Sequence, residues 1–290
     1  MSMVELSQIV VNALLLSGVL AVVALGFALV WGIMNIVNLS HGAFIMLGAY
    51  LTFGIHELAG VDPFLALPIT MMILAGLGYL VQRVLINQVI RAPLLATFLL
   101  TFGLEILVVN LMNYFFKADL RSVTVSYSGA GLALGAVRVP YVRLAALGVS
   151  LLLVTALAWF LTRTRTGTAI RATGMDIDAA RLTGVRVSTI YSITFAIGAA
   201  MAGAAGSLLS LMVSFDPNVG GGYTQRAFVI CVLGGLGNVF NVVAGALIYA
   251  FVEVLVGARV PELSQAIPFA MLVLLLVLRP QGIAGKSFYA

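Results

Sequence analysis

A helix needs about 20 consecutive apolar residues to cross a bilayer core, and this chain repeats runs of that order from end to end. They cover residues 9–30, 43–58, 64–81, 93–116, 142–161 and 189–213, with further stretches at 242–257 and 266–278. A water-soluble core cannot absorb this much apolar surface. Of the 290 residues, 62% are hydrophobic and 9% charged, against about 25% charged in an ordinary soluble domain. The expected fold is therefore all-α and polytopic: a single transmembrane domain over residues 1–290, with about eight or nine spans in the lipid bilayer, some of them broken or re-entrant. Residues 1–8 carry Glu5 and no Lys or Arg. The first run thus lacks the basic flank of a cleaved signal peptide and is expected to be kept.

The interruptions between runs say more than the runs do. After residue 30 the chain turns polar, with Asn35, Asn38, Ser40 and His41 ahead of Gly42. Such a segment lines a cavity, packs inside protein or reaches an interface. Asn38 and His41 lie three apart and share a face if the helix continues. They read either as a locally hydrogen-bonded helix start or as part of a pathway or gate; His56, the other histidine, is a full span away, which leaves metal binding without support. Residues 227–236 are too short to span alone and run into Gly234, Gly235, Gly237 and Asn238, the pattern of a broken helix beside a transport path.

Asp216, Pro217 and Asn218 form a good turn sequence within 215–222, exposed to the outside if the spans alternate. In the run 189–213, Gly198, Ala202 and Gly206 share one face and Ala199, Gly203 and Ser207 the next, which invites close helix approach. Glu105 falls near the middle of its span, where a carboxylate costs about 2.5–3.5 kcal/mol on insertion scales. It is either a protonated or hydrogen-bonded acid at a helix interface or a group of the transport path. Glu57 and Glu253 lie toward span ends, where interfacial exposure accounts for them.

One loop, 163–187, holds Arg163, Arg165, Arg171, Arg181 and Arg186 of the chain's 15 basic residues. Short basic loops stay on the cytoplasmic side, and the net charge of +5, gathered in a few loops, fits that bias better than nucleic-acid binding. The loop also has internal order. One short helical piece is expected over 167–172, and another from Asp176 as N-cap, with Asp178 in its first turn, to Gly184 as C-cap. The arginines either enforce topology alone or serve a docking surface. The single cysteine, Cys231, excludes an intrachain disulfide. Residues 282–287 resemble the end of a phosphate loop, but Pro280 stands where its first glycine belongs, so a nucleotide site is rejected. No catalytic motif is present.

Several motifs, in order and spacing, carry a family resemblance. They are Trp31-Gly-Ile, Asn38-Leu-Ser-His-Gly-Ala-Phe through Tyr50, Arg165-Thr-Gly-Thr-Ala-Ile-Arg, Ala179-Ala-Arg-Leu-Thr-Gly184, Asp216-Pro, Leu233-Gly-Gly-Leu-Gly237, Gly245, Glu253 and Arg279-Pro-Gln-Gly282. With these the chain resembles LivH-type permease subunits of the branched-chain amino acid ABC importers. The resemblance implies an ABC importer permease fold in a bacterial cytoplasmic (inner) membrane. It also implies a second, identical or related permease chain, two ATPase subunits that hold ATP and Mg, and an external substrate-binding protein.

On that reading the loop docks into an ATPase groove through Gly167, Ala169, Arg171, Asp176, Ala179, Ala180, Arg181 and Gly184. Asn38, His41, Gly42, Glu105, Gly234, Gly235 and Gly237 lie near the pathway, and Asp216, Pro217 and Asn218 face the binding protein. The chain has no cofactor of its own and is not an enzyme. Related systems also handle urea, amides and small organic acids. A self-contained ion-coupled carrier using Glu105 is the alternative.

Overall fold

The computed structural model describes residues 2–90, 92–235, 238–263 and 266–278. Arg91, Gly237 and the 279–290 segment with its phosphate-loop echo lie outside the described residues. The long helices are α1 (Met3–Met34), α2 (His41–Ala59), α3 (Pro63–Val81), α5 (Leu94–Phe116), α6 (Tyr141–Arg163), α9 (Val187–Ser210) and α11 (Val239–Gly257). Between α3 and α5 the helix continues through a π turn (Gln82–Ile86) into α4 (Asn87–Val89), so this span is longer than hydropathy alone indicated. Arg83 sits inside that π turn. The short helices are α7 (Arg165–Met175), α8 (Ile177–Leu182), α10 (Gly220–Gly234) and α12 (Ala266–Leu278).

Among the described residues, seven helices are long and apolar enough to cross a membrane. The 15-residue α10 and 13-residue α12 fall below that length. The expected count of eight or nine is reached only by including one or both of these.

The stretch between α5 and α6 contains an antiparallel hairpin of β1 (Gly131–Leu134) and β2 (Val137–Pro140). Gly135, at φ 64°, takes the left-handed conformation that a two-residue hairpin turn requires. Gln8 in α1 meets the free edge of β2: its Nε2 donates to the Arg138 carbonyl at 3.1 Å and its Oε1 accepts from the Arg138 N–H at 2.9 Å.

The chain forms two compact units. One gathers residues from the first 25, from 124–154 and from 225 onward; the other gathers 26–123 and 155–224. In the first, Gly18 of α1 leaves room for Leu147 and Ser150 of α6, and Gly245 of α11 lies against the backbone of Ile230 in α10. The second is built on α9, which packs on α2 and α3. A Cβ on Gly206 would overlap the carbonyl of Ile45, and one on Gly203 would fall 2.9 Å from Leu74. Gly198 takes the backbone of Gly26, and Ala199 lies over Gly78. The small-residue stripes therefore do what their spacing predicted: they bring helix backbones together where lipid supplies no hydrophobic drive. Thr52, Thr70 and Ser207 add a fully buried hydroxyl cluster across α2, α3 and α9, with separations of 3.1 and 2.6 Å.

Candidate functional site

Helix α1 ends because Asn35 turns left-handed at φ 53°, a conformation that asparagine tolerates better than most residues. The backbone then runs unwound to Ser40 before α2 begins at His41. This corrects the expectation that Asn38 and His41 share a face of one helix, since Asn38 precedes α2. Its side chain, 3% exposed, accepts from the Ser40 hydroxyl at 2.7 Å. His41, 1% exposed, lies edge-on to Phe27 at 5.7 Å.

Unwound backbone inside a membrane needs partners, and two threonines provide them. The Thr101 hydroxyl of α5 accepts from the Leu39 N–H at 3.4 Å and shares its proton between the Val37 carbonyl at 3.3 Å and the Phe98 carbonyl of its own helix at 3.1 Å. The Thr224 hydroxyl of α10 donates to the Leu39 carbonyl at 3.2 Å and accepts from the Gly42 N–H at 2.8 Å. Gly42 itself crosses Gly220, and a Cβ on either would collide with the other's backbone. That crossing explains a second correction. The glycines at 220–222, read as part of a turn, form the first turn of α10, so the helix begins at Gly220 rather than near Ala227.

Glu105 lies one turn beyond Thr101 on α5, half-buried, with Oε1 3.4 Å from where a Cβ of Gly221 would stand. Among the described residues it has no hydrogen-bond or ion-pair partner. Asp216 is occupied locally: its Oδ1 accepts from the Asn218 N–H and from the Asn218 side chain, capping the short 3-10 turn Pro217–Val219. The Asn218 side-chain oxygen in turn accepts from Asn113 at 3.2 Å.

The basic loop folds as two capped helices. Thr164 caps α7 by accepting from the Gly167 N–H. Asp176 caps α8 by accepting from the Asp178 and Ala179 N–H groups, both at 2.9 Å. Its other end is a Schellman motif, with Gly184 at φ 84°, Gly184 N–H on the Arg181 carbonyl and Val185 N–H on the Ala180 carbonyl. Gly167 packs against the Phe160 carbonyl, and the Arg171 side chain donates to the Leu161 carbonyl at the end of α6.

Ala169 is half-buried and Ala180 is 3% exposed, packed into its own chain, while Ala179 stands outside. Arg181 pairs with Asp178 at 2.9 Å on the surface. The most exposed apolar residues here are Met175 at 88% and Leu182 at 90%, one before and one at the end of α8. The sequence reading passed over both. Their signal was apolar residues within an otherwise polar loop.

Asn38, His41, Gly42 and Glu105 therefore share one unit with Thr101 and Thr224, whereas Gly234 and Gly235 belong to the other. There α10 ends at Gly234, Gly235 takes φ 83°, and Asn238 caps α11 by accepting from the Phe240 N–H. The break after Gly234 thus lies where the glycines placed it.

Glu253, expected at an exposed interface, is paired. The Arg226 guanidinium of α10 donates to its Oε1 at 2.9 Å, with the two side chains 18% and 14% exposed. Among the described residues its other oxygen is buried without a hydrogen-bond partner, as is the Tyr249 hydroxyl one turn earlier on α11. Arg226 was missed; a lone cation seven residues into a helix of otherwise uncharged residues was the available signal.

Comparison with known proteins identifies the family. A family model described as "Branched-chain amino acid transport system / permease component" matches residues 9–276. The high-affinity branched-chain amino acid transport system permease protein BraD of Pseudomonas aeruginosa is 27% identical, covering 96% of this chain and 95% of its own length. LivH of Escherichia coli K12, described in the same words, is 28% identical over 95% of this chain and 94% of its own. The autoinducer 2 import system permease protein LsrC of Photorhabdus laumondii is 37% identical, over 33% of this chain and 31% of its own. No solved structure matches the chain. With the family matched across nearly its whole length, this multi-pass membrane protein belongs to the permease components of the branched-chain amino acid transport systems.

Proposed function

We propose that this chain is the membrane pathway of an ATP-driven importer for branched-chain amino acids or similarly small polar solutes. ATP and Mg bind on two partner ATPase subunits, a second permease chain completes the pathway, and an external binding protein delivers the cargo. This chain does no covalent chemistry; it switches which side of the pathway is open. The substrate class follows the long relatives, whose names specify branched-chain amino acids; the autoinducer relative covers too little of the chain to change it.

The observation that carries the reading is α8. A six-residue helix held at both ends by full caps is flanked by two almost fully exposed apolar side chains, Met175 at the end of α7 and Leu182 at its own end, in a loop with five arginines. A bare connector has no use for such order, while a lever seated in a partner's groove needs it. At the other end of the device, the unwound segment between α1 and α2 offers backbone and neutral polar groups, which suit a zwitterion better than a fixed charge does. The arrangement of Asp216 and Asn218 fits turn duty, with the outer surface of that turn left to meet a binding protein.

The test is co-purification of the tagged chain from gently solubilised membranes, together with uptake. Replacing Met175 and Leu182 by Ser should release the ATPase subunits and abolish ATP-driven uptake while the chain still inserts. Retention of the ATPases at wild-type level would sink the docking reading.

A further inference from the structure

Behind α8 lies a cavity of 460 Å³ that the transport reading does not use. Its walls come from the end of α1 (Met34), from α4 and the residue after it (Asn87, Ile90), from α8 (Arg181) and from the start of α9 (Ser188, Tyr191). Arg181 is the one charged group among the residues that line it, so the field inside is positive. Its partner Asp178 is 86% exposed, and an ion pair that open to water is worth about 0.2–1 kcal/mol. A better-placed anion can therefore take the guanidinium.

Tyr191 supplies an independent observation. It is 6% exposed, lines the cavity, and its hydroxyl has no hydrogen-bond partner among the described residues. The oxygen is not sealed within the protein, so a ligand can reach it. Asn87 is held in place from behind. Its Oδ1 accepts from the fully buried Gln82 at 3.0 Å, and its Nδ2 lies 3.4 Å from the Ser192 hydroxyl. The remaining wall at Met34 and Ile90 is apolar.

We propose that this cavity between α4, α8 and α9 binds a small oxyanion on an apolar stem, a carboxylate or phosphate held by the Arg181 guanidinium and the Tyr191 hydroxyl. A bound ligand would bridge α8 to α9 and fix the angle of the docking helix. That consequence rests on the docking reading; binding itself does not.

Thermal unfolding of the purified full chain in a neutral detergent tests binding without any partner subunit. The probes are isovalerate, its uncharged amide, and phosphatidylglycerol added as mixed micelles. Isovalerate should raise the unfolding midpoint and the amide should not. Tyr191→Phe, which removes one charge-assisted bond, should weaken the apparent affinity roughly tenfold or more. Ile90→Trp, which fills the apolar wall, should abolish the shift, and far-ultraviolet circular dichroism checks that both variants fold.

A larger, Tyr191-dependent shift with phosphatidylglycerol would identify the ligand as a lipid headgroup; a shift with isovalerate alone would identify a free solute. Equal shifts from acid and amide, shifts unchanged in both variants, or no shift with any probe would each overturn the proposal. Loss of ATPase co-purification in the Met175 and Leu182 variant reports on docking and leaves this result untouched.

Discussion

Polar groups are handled in opposite ways at two places in this membrane protein. Around residues 35–40, an unwound backbone is served by neutral hydroxyls, Thr101 and Thr224, each within hydrogen-bond reach of two of its groups. Between α10 and α11 a full charge pair, Arg226 and Glu253, is taken out of water and left with one carboxylate oxygen unpaired. The first solution is local and neutral, and its loss exposes only backbone dipoles. The second is held by mutual dependence, because either charge alone is a large liability in a medium of low dielectric. A break that must change shape during transport is better served by the first. A junction that must hold two helices in register is better served by the second.

The sharpest way to break this contrast is to remove one charge. Arg226→Leu strands Glu253 and should destabilise the protein by about 3–5 kcal/mol, whereas Arg226→Leu with Glu253→Leu should recover most of that loss; unfolding in mixed detergent micelles reads both. Next in size is Gly42→Ala, where the new methyl meets the backbone of Gly220 rather than a movable side chain. A loss of up to about 3 kcal/mol, with uptake falling alongside it, is expected on the same assay.

Thr224→Val removes both bonds at the unwound segment with little change in shape and should cost roughly 2 kcal/mol. Thr224→Ser should restore most of it. If valine proves as stable as threonine, the stitching role fails. Asp176→Ala deletes the α8 cap and should cost about 1 kcal/mol, visible as faster amide exchange at Asp178 and Ala179. Smallest of all, Glu105→Gln should leave ATP-driven uptake close to wild type, since this carboxylate has no partner to lose among the described residues. A collapse of uptake would return it to the pathway.

The bounds of α5, α6 and α12 follow hydropathy to within a few residues, because lipid enforces the length of an apolar run. The caps of α8 were equally legible, since Asp176 and Gly184 act through their own neighbours. Reading failed where distant backbone decides the outcome. Three successive glycines look like a turn until Gly42 is known to lie against Gly220. The spacing that put Asn38 and His41 on one face assumed a helix that Asn35 ends. Arg226 and Glu253 stand 27 positions apart, and no local period links them. Ala180 and Ala179 are neighbours in sequence, yet one faces the protein and the other solvent, a distinction that appears only once α8 has a direction.

The π turn at Gln82–Ile86 has a consequence for how this span tolerates change in length. An α-helix advances about 100° per residue, so one residue more in a turn resets the angular position of everything beyond it. Here the wider turn aligns positions five apart, which is why Gln82 reaches Asn87, and why Asn87 points at α9 as Gly78 does two turns earlier. Deleting one residue from 82–86 would let the segment close to ordinary pitch with Asn87 still facing α9, whereas deleting one elsewhere in the span would turn Asn87 by about 100° away from it. The same span could accept a residue only where a second such widening absorbs it. Its length is thus indexed by angle as well as by the thickness of the membrane.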